Sequence, residues 1–109
     1  MTKKYRVIID PLAKADLKDL YVYVSVNDNI NSANKLLDGL EEACCKLEKY
    51  PDRGHIPSEL RQTGIKNYLE IHYKPYRIIY EIEGKVVYIH SVLDGRRNIQ
   101  EILNNRILR

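Results

Sequence analysis

The stretch Tyr76–Asn98, YRIIYEIEGKVVYIHSVLDGRRN, decides the fold. It holds two runs rich in Ile, Val and Tyr, Tyr76–Glu83 and Lys85–Leu93, split by a turn at Glu83-Gly84. Branched and aromatic side chains suit a pleated, half-buried surface, and a glycine between two such runs marks a hairpin. Just upstream, Ile65–Tyr73 has the same character and is separated from Tyr76 by Lys74-Pro75. Short connections make three successive antiparallel strands.

With two-residue loops, counting outward from each turn gives the register. Across Lys74-Pro75, His72 faces Arg77, Ile71 faces Ile78 and Glu70 faces Ile79. Across Glu83-Gly84, Tyr80 faces Val87, Ile79 faces Tyr88 and Arg77 faces His90. Successive side chains alternate between faces. Leu69, Ile71, Ile78, Tyr80, Ile82, Val87 and Ile89 therefore make one apolar face, which a helical layer must cover. Glu70, His72, Arg77, Ile79, Tyr88 and His90 share the other, with His72, Arg77 and His90 in one cross-strand row. An arginine can clamp a phosphate through paired hydrogen bonds, and a histidine can move protons near neutral pH. That row is the candidate site for RNA cleavage, the histidines serving as base and acid around a phosphate-binding guanidinium. Glu59 is a carboxylate that could reach the same face from a loop the sequence does not place.

The first half of the chain has a different period. Residues 4–9 read as a short strand, and Asp10-Pro11 supplies a helix cap followed by a proline in the first turn. Leu17, Leu20, Tyr21 and Val24 set a first helix to about Val26, and Asn27 to Asn31 is a polar turn. Ala33, Leu36, Leu37, Leu40, Cys44 and Leu47 set a second helix from about Ser32, stopped by Pro51. Residues 51–64 read as an irregular loop in which His55 is solvated, and Asn98 to Leu108 as a short terminal helix. The order β-α-α-β-β-β-α defines one α+β domain over residues 1–109, a helical hairpin on one face of a mostly antiparallel four-stranded sheet.

Composition narrows the functional classes. A net charge of +3 from 18 basic and 15 acidic residues is too small to imply nucleic-acid binding by itself. The basic residues cluster instead, at Lys3, Lys4 and Arg6, at Arg96 and Arg97, and at Arg106 and Arg109. All nine aromatic residues are tyrosines, which suit contact surfaces. Cys44 and Cys45 are adjacent, so they point in different directions on a helix and read as reduced residues of a cytoplasmic protein. The three histidines, His55, His72 and His90, are widely separated and lack metal-site spacing; no metal or other cofactor is expected. No stretch is long and apolar enough for a membrane span.

The strand order with YRIIYEI, a one-glycine turn and VVYIHSVLDGRRN resembles the RelE/ParE toxin superfamily over essentially the whole chain. The hairpin ending LEKYPDRG (residues 47–54), followed by SELR (residues 58–61), is more similar to the ParE branch. The resemblance implies the toxin of a type II toxin–antitoxin system, used in growth arrest and plasmid stabilization, in a hetero-oligomer with its antitoxin. In the RelE branch, a ribosome-dependent mRNA endonuclease (mRNA interferase), the matching phosphate contacts are Arg77 and Arg97 or Arg96. That branch also uses second-strand lysines and a terminal tyrosine, where this chain has Tyr68, Glu70 and a position near Leu103. Those departures favour the ParE branch, an inhibitor of DNA gyrase rather than an enzyme, with Arg77, Arg96, Arg97, Glu70 and Tyr88 as its binding candidates. The alternatives are an mRNA endonuclease using Arg77, His72, His90 and Arg97, and an inactive relative that binds only its antitoxin.

Overall fold

Local chemistry starts both helices of the computed structural model, which describes residues 4–95 and Arg106. Strand β1 (Arg6–Ile9) leads into helix α1 (Pro11–Asn27). Asp10 Oδ1 accepts from the Leu12 N–H at 2.9 Å, and Pro11 sits where its missing N–H costs nothing. Helix α2 (Ile30–Cys45) begins two residues before Ser32 because Asn29 is the cap, its side-chain oxygen accepting from Ser32 N at 2.8 Å. The polar turn between the helices is correspondingly short. The α2 stripe lies as its spacing predicts, with Ala33, Leu40 and Cys44 buried. The helix ends at Cys45, short of Pro51, and the buried Leu47 belongs to a following 3₁₀ turn, Lys46–Glu48. Both cysteines are free thiols; burial pushes the Cys44 thiol up to about 12, whereas Cys45 is exposed.

Strands β2 (Tyr68–Tyr73), β3 (Tyr76–Glu83) and β4 (Val86–Asp94) complete a sheet of order β1-β4-β3-β2. Strand β1 runs parallel to β4, and the other two pairings are antiparallel. The β2–β3 register is the counted one, including His72 opposite Arg77. Strand β2 starts at Tyr68 rather than Ile65, because the Ile65 N–H is held by the Thr63 hydroxyl in a turn and its side chain packs against a second apolar cluster.

The β3–β4 register differs from the count in two ways. The turn is Gly84-Lys85, with Glu83 paired to Val86, and Gly84 takes φ +62°, a backbone region open to glycine. This moves the pairing by two residues, which preserves faces, so Tyr80 meets Ile89 and Ile82 meets Val87. A bulge then inserts His90 between Ile89, opposite Tyr80, and Ser91, opposite Ile79. Beyond it the parity flips. Val92 therefore joins the helix-side core while Leu93 turns to the opposite face, where it is the partner of Arg77. The expected pairing of Arg77 with His90 does not occur.

Both faces of the sheet are covered. The helices pack Ala13, Leu17, Leu40 and Leu47 against Ile71, Ile78, Tyr80, Val87, Ile89 and Val92. The other face, expected to be open, carries a second cluster in which Leu60, with Ile56 and Ile65, covers Tyr68, Ile79 and Leu93. The loop is fastened through Tyr80, whose hydroxyl donates to Pro51 O at 2.6 Å and accepts from Gly54 N at 3.1 Å. Gly54 has no room for a Cβ, which would lie 2.6 Å from Glu70 O.

Strand β1 ends beside Ile89, and α1 supplies the next partner along that edge. Asp16 Oδ2 accepts from the Val92 N–H at 2.9 Å, while Arg106 binds both Asp16 oxygens at 2.7 Å and the Ser91 hydroxyl at 2.9 Å. Arg106 is the one described residue of the segment expected to form a terminal helix; the rest of Asn98 to Leu108 lies outside the described residues. Asp16→Ala orphans a buried strand N–H and a half-buried guanidinium, and should cost about 3 kcal/mol in urea unfolding. Tyr80→Phe, which leaves Pro51 O and Gly54 N without their partner, should lower stability by about 1–3 kcal/mol in the same measurement.

Candidate functional site

The alternation of β2 and β3 sends Glu70, His72 and Arg77 to the loop-covered face. Arg77 is enclosed by carboxylates rather than by imidazoles. Its Nε and Nη2 donate to Glu70 Oε1 and Oε2 at 2.9 and 2.7 Å. Its Nη1 and Nη2 donate to Glu59 Oε2 and Oε1, both at 2.8 Å. Glu59 arrives on the short helical turn Ser58–Leu60, whose Leu60 anchors in the apolar cluster beneath. One guanidinium thus makes paired hydrogen bonds to two carboxylates, the geometry in which arginine binds most strongly.

The electrostatics follow from those bonds. Hydrogen bonds to Glu59, then to Glu70, raise the Arg77 pKa above its ordinary value. The bond from Arg77 holds the Glu59 carboxyl down at about 2. Burial opposes ionisation of Glu70, but bonds from Arg77 and His72 outweigh it and keep that carboxyl below its usual range. The group carries one positive and two negative charges in a site where Glu70 is only 2% exposed.

The structure gathers some sequence candidates and separates others. His72 Nε2 lies 2.5 Å from Glu70 Oε1, so His72, Glu70 and Arg77 form one network. His90 stands at the bulge, bonded to Glu81 Oε1 at 3.2 Å with its ring edge-on to Tyr68 at 5.3 Å. Tyr88 is half-buried in β4, paired with Ile8 on one side and Glu81 on the other. Arg96 and Arg97 lie outside the described residues. Two participants come from the loop that the sequence does not place. Glu59 does reach this face, and the His55 side chain is exposed as expected, while its backbone forms an antiparallel bridge to Glu70. Loop residues carry no periodicity, so no pattern in the chain announces either contact.

Two helices against one side of a mixed four-stranded sheet define the class: this is the RelE/ParE toxin fold. It is shared with the chromosomal ParDE toxin–antitoxin system from P. aeruginosa (TM-score 0.70, 17% identity, covering 84% of this chain and 97% of that one). It is shared also with the RelBE2 toxin–antitoxin complex from Mycobacterium tuberculosis (TM-score 0.62, 22% identity, 84% and 98% covered). A mutant of E. coli toxin RelE in the free state superposes at TM-score 0.61 with 16% identity, covering 97% of each chain. Toxin ParE3 of Caulobacter vibrioides is 29% identical over 101 residues, 93% of this chain and 97% of that protein. Residues 7–99 match the family described as ParE toxin of type II toxin-antitoxin system, parDE, and the chain belongs to that family.

The carboxylate pair makes an acid-linked prediction. Glu59 titrates at about 2 in the folded chain against 4.5 for the free group, so the unfolded state binds its proton first as pH falls. Its stabilisation is complete above about 4.5 and disappears as pH drops towards about 2. Urea midpoints measured between these limits should fall steeply for the native chain. In Glu59→Gln the midpoint should be lower at neutral pH and the fall with acid shallower.

Proposed function

We propose that this ParE-family toxin arrests growth by binding and inhibiting DNA gyrase, without turnover, in the cytoplasm, and that a cognate antitoxin holds it in check. The observation that carries the reading is the state of Arg77. An mRNA endonuclease needs a cation free to take the scissile phosphate as charge develops on it. Here four hydrogen bonds from that guanidinium end on Glu59 and Glu70, and the loop bearing Glu59 lies over the face where RNA would have to sit. The displaced His90 removes a second member of the catalytic row. An inhibitor requires neither.

A binding role draws support from the outer surface of the helical hairpin. Val22, Tyr23, Val26 and Ile30 cluster around its tip, and Val26 is 76% exposed. Large apolar side chains grouped in this way suit a protein partner. The antitoxin half of the proposal rests on family membership and on structural relatives that are themselves toxin–antitoxin systems or complexes.

Purified chain added to gyrase with relaxed plasmid and ATP should abolish supercoiling and accumulate cleaved DNA. Induced alone in cells, it should stop growth with messages intact, and His72→Ala and His90→Ala should arrest growth as the native chain does. Undiminished supercoiling together with cleaved ribosome-bound messages, abolished in a folded Arg77→Ala variant, would install the endonuclease reading. Unaffected growth on induction would leave an inactive relative that binds only its antitoxin.

A further inference from the structure

Three potential metal ligands meet on the loop-covered face, and the backbone holds two of them together. His55 N donates to Glu70 O at 3.1 Å and Glu70 N donates to His55 O at 2.7 Å, so the loop pairs with β2 at that one point. His72 follows two residues after Glu70 and shares its face. His72 Nε2 is 2.5 Å from Glu70 Oε1, and His55 Nε2 is 3.9 Å from Glu70 Oε2. The imidazoles meet edge to face with centroids 5.4 Å apart, and one ligand atom from each residue lies within 4.8 Å of the other two. A tetrahedral ion with bonds of about 2.0–2.2 Å sets its ligands about 3.4 Å apart. The two separations from Glu70, 2.5 and 3.9 Å, lie on either side of that value.

The surroundings suit such an ion. Glu70 is buried and is oriented from behind by Arg77 through both carboxylate oxygens, the outer support that metal-binding carboxylates use. Glu70 Oε2, which accepts from Arg77 Nη2, has a second lone pair for a cation, and Oε1 gains one where the His72 imidazole turns from it to the ion. The imidazoles are about half exposed, at 53% and 46%, and border a cavity of about 270 Å³ that leaves room for the ion and a water. Lys74 and Arg77 also line this cavity, but the Arg77 charge is cancelled by Glu59 and Glu70.

We infer that His55, Glu70 and His72 form a binding site for one borderline divalent cation of the Zn²⁺ type, with water completing the coordination. Two imidazoles and one carboxylate select such an ion over Mg²⁺ or Ca²⁺, which take oxygen ligands. The bound ion would fasten the loop after Gly54 to the outer strand β2, a cross-link separate from any action on gyrase.

Tag-free protein titrated with Zn²⁺ by calorimetry, and with Co²⁺ by visible absorption, tests the site. Cys45→Ser serves as the parent chain, since an exposed thiol can bind these ions by itself. The parent should take up one equivalent, with a rise in melting temperature that millimolar Mg²⁺ does not reproduce. His55→Ala and His72→Ala, both substitutions of half-exposed side chains, should each weaken binding by about tenfold or more, while His90→Ala should not change it. Circular dichroism of the metal-free variants verifies that they fold. No uptake by the folded parent, or uptake indifferent to His55→Ala and His72→Ala, would overturn the inference. Because the readout is metal affinity, either result is independent of the gyrase assay.

Discussion

A guanidinium has five N–H groups and no acceptor, and burying one is costly unless those donors are met. In this chain Arg77 directs four of them to Glu70 from the neighbouring strand and Glu59 from the loop that crosses the sheet. That choice of partners explains most of what distinguishes the second face. It fixes the direction of the Ser58–Leu60 turn, and with it the position of Leu60 over Ile79 and Leu93. It also turns the buried Glu70 carboxylate towards the imidazoles of His72 and His55. A face that strand alternation alone would leave polar and wet becomes a small second interior.

The two interiors are stabilised differently. On the helix side, apolar contact dominates, and each fully buried Leu or Ile contributes roughly 1.5–3 kcal/mol. Tyr80 bridges the layers, with its ring in the helix-side core and its hydroxyl on Pro51 and Gly54. On the loop side, apolar contact is limited to a handful of residues, and the ionic network locks the loop in a single position. Breaking one partner of such a network is costly even where the intact network adds little net stability.

The helical hairpin, the antiparallel succession of β2, β3 and β4 and most of the division of side chains between faces were legible because each follows a periodic pattern or a cap. The parallel pairing of β1 with β4 follows from neither. Asp10 with Pro11, the α2 stripe and the β2–β3 register needed only local information. The β3–β4 turn was legible in principle. Glycine is favoured at the first central position of a two-residue hairpin, so Gly84-Lys85 was the better choice over Glu83-Gly84. The bulge at His90 was hidden, because its cause is the competing demand of Val92 for the helix side and Leu93 for the loop side. Nor could residue order reveal that Asp16 would close the free edge of β4, a contact spanning 76 positions. The site suffered most because it depends on those long-range terms: Arg77 kept its face and its partner His72 but lost His90 and acquired Glu59.

Could Arg77 still be released to serve as a phosphate ligand? A phosphodiester would exchange one negative charge for that of Glu59, so charge alone is no obstacle. The obstacle is the geometry of the pair, since two hydrogen bonds of 2.8 Å tie Glu59 to the guanidinium. Withdrawing the carboxylate forfeits its two hydrogen bonds to Arg77 and returns Glu59 to water without its partner. Glu70 would remain bonded to the same guanidinium, competing with the incoming phosphate on its other edge. Substrate binding would have to cover all of these losses before any bond was strained towards cleavage. The same guanidinium orients the Glu70 carboxylate beside two imidazoles.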